Sequence, residues 1–153
     1  MDDEIDRNMA RATITRTGEG TAFTVLGEQV TVLAHAPDGG HAVFEIVGRA
    51  PNGPGAHRHP WTETYIVLEG SLRLLLDHDW HELHAGDSAC VPGGILHTHQ
   101  ALDTKPCRFL VVTSTELAET LFRAIDGAGD FGWPDPATVH DLAVRHGVRT
   151  EPT

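Results

Sequence analysis

The run His57-Arg58-His59-Pro60-Trp61-Thr62-Glu63 sets two imidazoles two residues apart and a carboxylate four residues after the second. In an extended chain, side chains two apart point the same way, so His57 and His59 face one side together. Glu63 and Tyr65 share the inward face of the strand that follows Pro60 for the same reason. Beyond Gly70 and the turn Pro92-Gly93-Gly94, His97 and His99 repeat the two-residue spacing. His57, His59, His97 and Glu63 together make a set suited to a divalent transition metal, since imidazole binds zinc, copper, iron and nickel and a carboxylate adds charge. Ligands delivered to one point by separate strands describe the interior of a barrel.

The segments around this set are short, rich in Val, Thr and Phe, and punctuated by Gly and Pro. Ala22 to Leu26 and Gln29 to Ala34 flank Gly27-Glu28 and read as a hairpin. His41 to Gly48 is a strand apolar on both faces, and Pro51-Asn52-Gly53-Pro54-Gly55 is a stiff loop that aims His57. Thr62 to Glu69 and Ser71 to Asp77 pair about Gly70. Trp80 to His84, Asp87 to Val91, Leu96 to Gln100 and Cys107 to Thr113 complete an all-β sandwich or barrel.

The period then changes. Thr113-Ser114-Thr115-Glu116 has the form of a capping box, and Leu117, Leu121, Phe122 and Ile125 recur at helical spacing until Gly127. A second helix starts at Asp135 as N-cap with Pro136 in its first turn, carries Val139, Leu142 and Ala143 on one face, and ends at Gly147. These helices are expected to pack outside the barrel or to cover one mouth. The join between them, Asp126 to Trp133, either lies across a pocket as a lid or packs as a simple tail.

On these residues the chain resembles the cupins. Their first motif, His-x-His, three or four residues, Glu, six residues, Gly, is matched by His57, His59, Glu63 and Gly70. Their second, Gly, five residues, Pro-x-Gly, two residues, His, is matched by Gly86, Pro92, Gly94 and His97. Two positions depart from the pattern: Pro51 stands where a Gly precedes the first His, and Ala101 where an Asn follows the last. Neither is a ligand in the family. The resemblance covers residues 20–113 and implies a double-stranded β-helix, a jelly-roll barrel, with residues 1–19 as a flexible arm and 114–153 as an extension holding the two helices.

The resemblance also implies one divalent transition metal per chain, Fe, Mn, Ni, Cu or Zn, held by His57, His59, Glu63 and His97. Likeness to the quercetin dioxygenase-like cupins implies a metal-dependent dioxygenase acting with dioxygen on a small enolic, phenolic or flavonoid-like compound. Glu63 would then be both ligand and general base. The same ligands would serve a cyclase, isomerase or decarboxylase of a polyketide or carbonyl compound, which needs only one open metal position. A non-catalytic small-molecule-binding cupin is the alternative from another class. Since cupins frequently pair through sheet edges and exchanged N-terminal strands, a homodimer is expected.

Composition narrows the partners. At 153 residues the chain is the size of one domain, with 40% apolar and 22% charged residues. Eleven Lys and Arg against 22 Asp and Glu give a net charge of -11 with no basic run, so nucleic acid is not an expected partner. No apolar window of 18 residues exists to cross a membrane. Met1 to Arg11 carries Asp2, Asp3, Glu4 and Asp6 where a signal peptide would need a positive end, so a cytoplasmic location is expected. Cys90 and Cys107 fall in predicted strands, where buried free thiols are expected.

Other residues stand beside the metal set. His99 points as His97 does and could orient a ligand, shuttle a proton or fill the barrel; Tyr65 could hydrogen-bond substrate or bound oxygen, or pack in the core. Both are candidate catalytic residues with Glu63. Trp61 reads as a packing residue. His78, His81 and His84 straddle a turn on alternating faces and read as solvated surface, while His35, His41, His140 and His146 lack partners at ligand spacing.

Overall fold

The computed structural model of the chain describes residues 12–129 and 134–151. Its elements in chain order are β1 (Thr21–Val25), β2 (Glu28–His35), β3 (Ala42–Gly48), β4 (His57–Arg58), β5 (Glu63–Glu69), β6 (Ser71–Leu76), β7 (Asp79–His84), β8 (Ser88–Val91), β9 (His97–Ala101), β10 (Cys107–Thr113), helices α1 (Leu117–Gly127) and α2 (Pro136–Arg145), and β11 (Arg149–Thr150). Two antiparallel sheets face each other: β1-β2-β3-β10-β5-β8 and β11-β4-β9-β6-β7. Strands adjacent in sequence fall in opposite sheets at several steps, which is the wrapping expected of a jelly roll.

β3 and β10 alternate buried and half-buried residues along their whole length, so one face looks into the barrel and the other outward. β3, read from the sequence as apolar on both faces, thus buries one face fully and the other only in part. Phe44, Leu72, Leu74 and Phe109 are fully buried at the centre. Each such side chain contributes about 1.5–3 kcal/mol relative to exposure. Phe122 of α1 meets Phe44 edge-on, with ring centroids 5.1 Å apart, and ties the helix to this core. The core does not depend on the histidine set. Chelating a bound ion is therefore expected to lower the melting temperature by mass action while leaving the β-type circular dichroism in place; collapse of that signal on adding chelator would contradict it.

Several sequence expectations shift in detail. The β1–β2 turn is Leu26-Gly27, with φ of 50° and 79°, rather than Gly27-Glu28. Positive φ at both central residues is the two-residue hairpin form whose twist matches the strands. Glu28 thereby becomes the first residue of β2 and is buried. The capping box does not form: Thr113 is still in β10 and its hydroxyl donates to the Thr115 carbonyl, while Glu116 caps α1 without a side-chain bond. Asp135 caps α2 as expected, accepting from Thr138 N at 3.1 Å. Cys107 is buried but Cys90 is exposed, because it lies on the outward face of β8 at the sheet edge. No helix of the described residues is long and apolar enough to cross a membrane.

After α2 the chain returns to the barrel. β11 pairs with β4, Arg149 opposite Arg58 and Thr150 opposite His57, so the C-terminal segment is stitched to the strand that carries the first histidine. The helices wall one opening of the barrel. Of the join between them, residues 130–133 lie outside the described residues, and with them half of the segment named as a lid or tail.

Candidate metal centre

Three strands bring the four expected ligands together. His57 lies on β4, directly opposite His97, the first residue of β9. Glu63 opens β5, and His59 sits between β4 and β5. The loop before His57 is pinned to β9, where Gln100 Nε2 donates to the Pro51 carbonyl at 3.1 Å and Thr98 Oγ1 to the Pro54 carbonyl at 2.8 Å. The Pro92-Gly93-Gly94 turn is held against the first motif by Gly94 N donating to the His59 carbonyl at 2.8 Å. A Cβ on Gly93 would collide with the Pro60 carbonyl, so that close approach requires glycine.

One ring nitrogen from each of His57, His59 and His97 lies within 4.8 Å of the others. Each imidazole is oriented by its own main chain: the Nδ1 atoms contact the carbonyls of Gly55 (2.8 Å), Trp61 (3.0 Å) and Ile95 (2.8 Å). A carbonyl only accepts, so Nδ1 carries the hydrogen and Nε2 is the nitrogen left to bind. The Glu63 carboxylate stands against two of these nitrogens, Oε1 at 3.2 Å from His59 Nε2 and Oε2 at 3.1 Å from His97 Nε2. Two acceptors at that distance repel unless a cation lies between them, either a proton or a metal ion.

His59 Nε2 decides how well a metal fits. It is buried and without a hydrogen-bond partner, because its contact with Glu63 is close but off the line of a hydrogen bond. A buried unsatisfied nitrogen costs about 1–3 kcal/mol. A divalent ion would satisfy it together with the other two imidazoles and neutralise Glu63, so the residues present fit the ion. His78, His81 and His84 are exposed on and after the β6–β7 turn and take no part in this cluster.

The surroundings fix the charge of the site. Burial works against ionisation of Glu63, but the His59 and His97 rings packed against it hold its carboxyl well below the usual range. Burial, with the neighbouring His97, pushes His57 down to about 4, so it is neutral and ready to ligate at neutral pH. Burial and the Glu63 and Glu28 carboxylates push the Tyr65 hydroxyl well above its ordinary value. Tyr65 thus stays protonated and donates to Glu63 Oε2 at 2.9 Å, which places it as a donor rather than a base. His99, 7% exposed, is not in the imidazole cluster; burial opposes its charge, yet the Glu28 carboxylate at 2.9 Å raises its pKa overall.

A pH dependence of the metal-free fold follows from His57. Its folded value lies below the unfolded 6.5, so the stability it contributes is complete above 6.5 and is lost as pH falls toward 4, where only the unfolded chain readily takes the proton. Melting temperatures of the metal-free protein are expected to fall through that window, and less so for His57→Gln.

Two contributors were not anticipated. Trp61 stacks on His59, ring centroids 4.1 Å apart and 9° from parallel, and its Nε1 donates to Glu63 Oε1 at 3.4 Å, so it supports His59 and Glu63 as well as packing. Glu28 is the other, an inward carboxylate bonded to His99. Above these groups lies a cavity of about 120 Å³. His57, His59, Glu63, Tyr65, His99 and Glu28 form its polar side, and Val25, Val30, Ile46, Leu121, Phe122 and Ile125 are among its apolar walls; among the described residues no Lys or Arg lines it.

A two-sheet β-helix that aims histidines from two such motifs into its interior is the cupin architecture, and residues 43–113 match the cupin domain family. Those residues carry a cupin domain, and the fold around them is a cupin barrel. The chain is 38% identical over 91 residues to quercetin 2,3-dioxygenase of Bacillus subtilis (strain 168), an alignment covering 56% of this chain and 26% of that protein. The chain thus spans about a quarter of that relative's length. Among solved structures, it is similar to a Cupin 2 conserved barrel domain protein from Salinispora arenicola CNS-205 (TM-score 0.57, 19% identity, covering 90% of this chain and 100% of that one). It is also similar to the polyketide cyclase RemF from Streptomyces resistomycificus (TM-score 0.59, 24% identity, covering 67% and 79%). At these identities the likeness is one of fold.

Proposed function

We propose that this cupin is a metal-dependent enzyme, a dioxygenase acting on a small enolic, phenolic or flavonoid-like compound. The observation that carries the proposal is the set of three imidazoles with Nε2 free, facing the Glu63 carboxylate at the edge of an otherwise apolar cavity. His57, His59, His97 and Glu63 would hold the ion. Once bound, a divalent metal supplies Lewis acidity and open positions for substrate oxygen and dioxygen. The partial match to quercetin 2,3-dioxygenase supports the choice of reaction.

The residues themselves divide the remaining work. Glu63 accepts the proton of a substrate hydroxyl, and the Tyr65 hydroxyl holds the carboxylate in place while it does so. The apolar walls from β1, β2, β3 and α1 exclude water and leave an anionic substrate without a counter-charge, so a neutral compound with an acidic hydroxyl suits the site. The test is oxygen uptake by metal-loaded protein offered flavonols, catechols and enolic diketones. Uptake with ring or chain cleavage supports the dioxygenase; turnover that continues without oxygen would replace it with Lewis-acid cyclase, isomerase or decarboxylase chemistry on the same ligands.

The protein is further proposed to work in the cytoplasm as a homodimer joined through sheet edges and residues 1–19. Light scattering at micromolar concentration is expected to give twice the 16.6 kDa chain mass, and deletion of residues 1–19 to weaken the pair.

A further inference from the structure

Glu28 belongs to neither cupin motif, yet it is 3% exposed. The Leu26-Gly27 turn starts β2 with Glu28 facing inward, and the carboxylate fills space left by two glycines. A Cβ on Gly48 would stand 2.5 Å from Glu28 Oε1, and one on Gly53 would stand 3.3 Å away. Carrying a carboxylate into a barrel costs several kcal/mol unless it is paired. Its partner is His99, whose Nε2 donates to Glu28 Oε2 at 2.9 Å.

Counting donors extends the contact further. Tyr65 has one hydroxyl hydrogen, which goes to Glu63 Oε2 at 2.9 Å. The Tyr65 oxygen also lies 3.4 Å from His99 Nδ1, with the two ring centroids 5.6 Å apart, so the imidazole that Glu28 holds abuts the hydroxyl that serves Glu63. His99 thus bridges Glu28 on one side and Tyr65 on the other. An amide at position 28 replaces the hydrogen bond to a carboxylate with a weaker one, so the ring is held less firmly and the hydroxyl it abuts shifts with it.

We infer that Glu28 is a positioning residue for Glu63: through His99 it fixes Tyr65 as the hydrogen-bond donor to the carboxylate that faces the three imidazoles. Its bearing on metal rests on the metal centre proposed above, whereas the link from Glu28 to Tyr65 belongs to the protein without an ion.

Tyr65 is the one tyrosine of the chain, so biosynthetic 3-fluorotyrosine gives a single-site fluorine NMR signal. Two variants break the link differently. Glu28→Gln keeps the shape and removes the charge; Gly48→Ala keeps Glu28 and pushes its carboxylate aside. Glu45→Gln, in an ion pair with Arg108, is the control. In the metal-free protein, Glu28→Gln and Gly48→Ala are each expected to move the resonance and Glu45→Gln to leave it. The Glu28→Gln and Glu63→Gln shifts should be non-additive in the double variant, since both act on one hydrogen bond. Titrated with Co2+, Glu28→Gln should bind roughly tenfold more weakly than wild type, the lower end of the effect of groups that support a ligand, with an altered visible spectrum.

An unmoved resonance in Glu28→Gln overturns the inference, as do additive shifts. A moved resonance with unchanged Co2+ affinity and spectrum also overturns it, because Glu28 would then order Tyr65 without reaching Glu63. If Glu28→Gln does not fold, Gly48→Ala decides by the resonance and Co2+ readouts. Should wild-type protein take up no Co2+, the metal centre fails, and the fluorine cycle alone decides for or against Glu28.

Discussion

His97→Ala is expected to abolish both metal binding and turnover while leaving the barrel folded. His97 is the imidazole that the second motif brings to the cluster, and it stands opposite His57 across the β4–β9 ladder. Its removal leaves two imidazoles on one side of the site and frees Glu63 Oε2 from its contact at 3.1 Å. Loss of a group that merely supports a ligand costs roughly 10–100-fold in affinity, and loss of the ligand itself costs more. The core around Phe44, Leu72, Leu74 and Phe109 is untouched, so circular dichroism should stay of β type. Elemental analysis of the purified variant, beside wild type, gives the metal content. A variant that keeps its ion would remove His97 from the ligand set.

Glu63→Gln separates ligand from base. The amide keeps the shape and a weak oxygen donor but lacks charge and basicity. It can still accept from Tyr65 at the position where Oε2 stands. The variant is expected to retain a substantial part of the metal and to lose turnover by roughly 100-fold or more, the usual worth of positioned proton transfer. Rate and metal are to be measured on the same preparation and the rate expressed per ion. Normal turnover per ion would make Glu63 a ligand alone and move the base to His99. Tyr65 is a poor substitute, since burial and two nearby carboxylates hold its proton on.

The convergence of His57, His59, His97 and Glu63 was legible because its geometry is local: two-residue spacing in extended chain, and two motifs of fixed interval. The strands were legible from alternation and from Gly and Pro punctuation, and Cys107 to Thr113 agrees with β10 to the residue. Glu28 was missed for a specific reason. Val30 and Val32 face inward, and counting back by two places Glu28 inward as well. Reading Gly27-Glu28 as the turn hid that parity. A leucine at φ 50° in the first turn position is rare, and nothing local announces it.

The remaining misses are long-range. Whether Cys90 faces solvent depends on β8 being a sheet edge, which only the strand order decides. β11 is two residues long and exists because β4 offers it a ladder. The capping box failed because β10 keeps Thr113 for itself, so tertiary structure overrode a good local motif. The stacking of Trp61 on His59 arises where the chain turns at Pro60, outside either period.

The three carbonyls that aim the imidazoles each lie two residues from the histidine they hold, at Gly55, Trp61 and Ile95. Each histidine therefore carries its own aiming device within a tripeptide, and none borrows it from the apolar side chains of Val25, Ile46, Leu121 or Ile125. Walls and ligands are separable modules. Substitutions at Val25, Ile46, Leu121 or Ile125 can reshape what the cavity accepts without turning an imidazole, so a library randomised at those four positions would explore new ligands against a constant set of imidazoles.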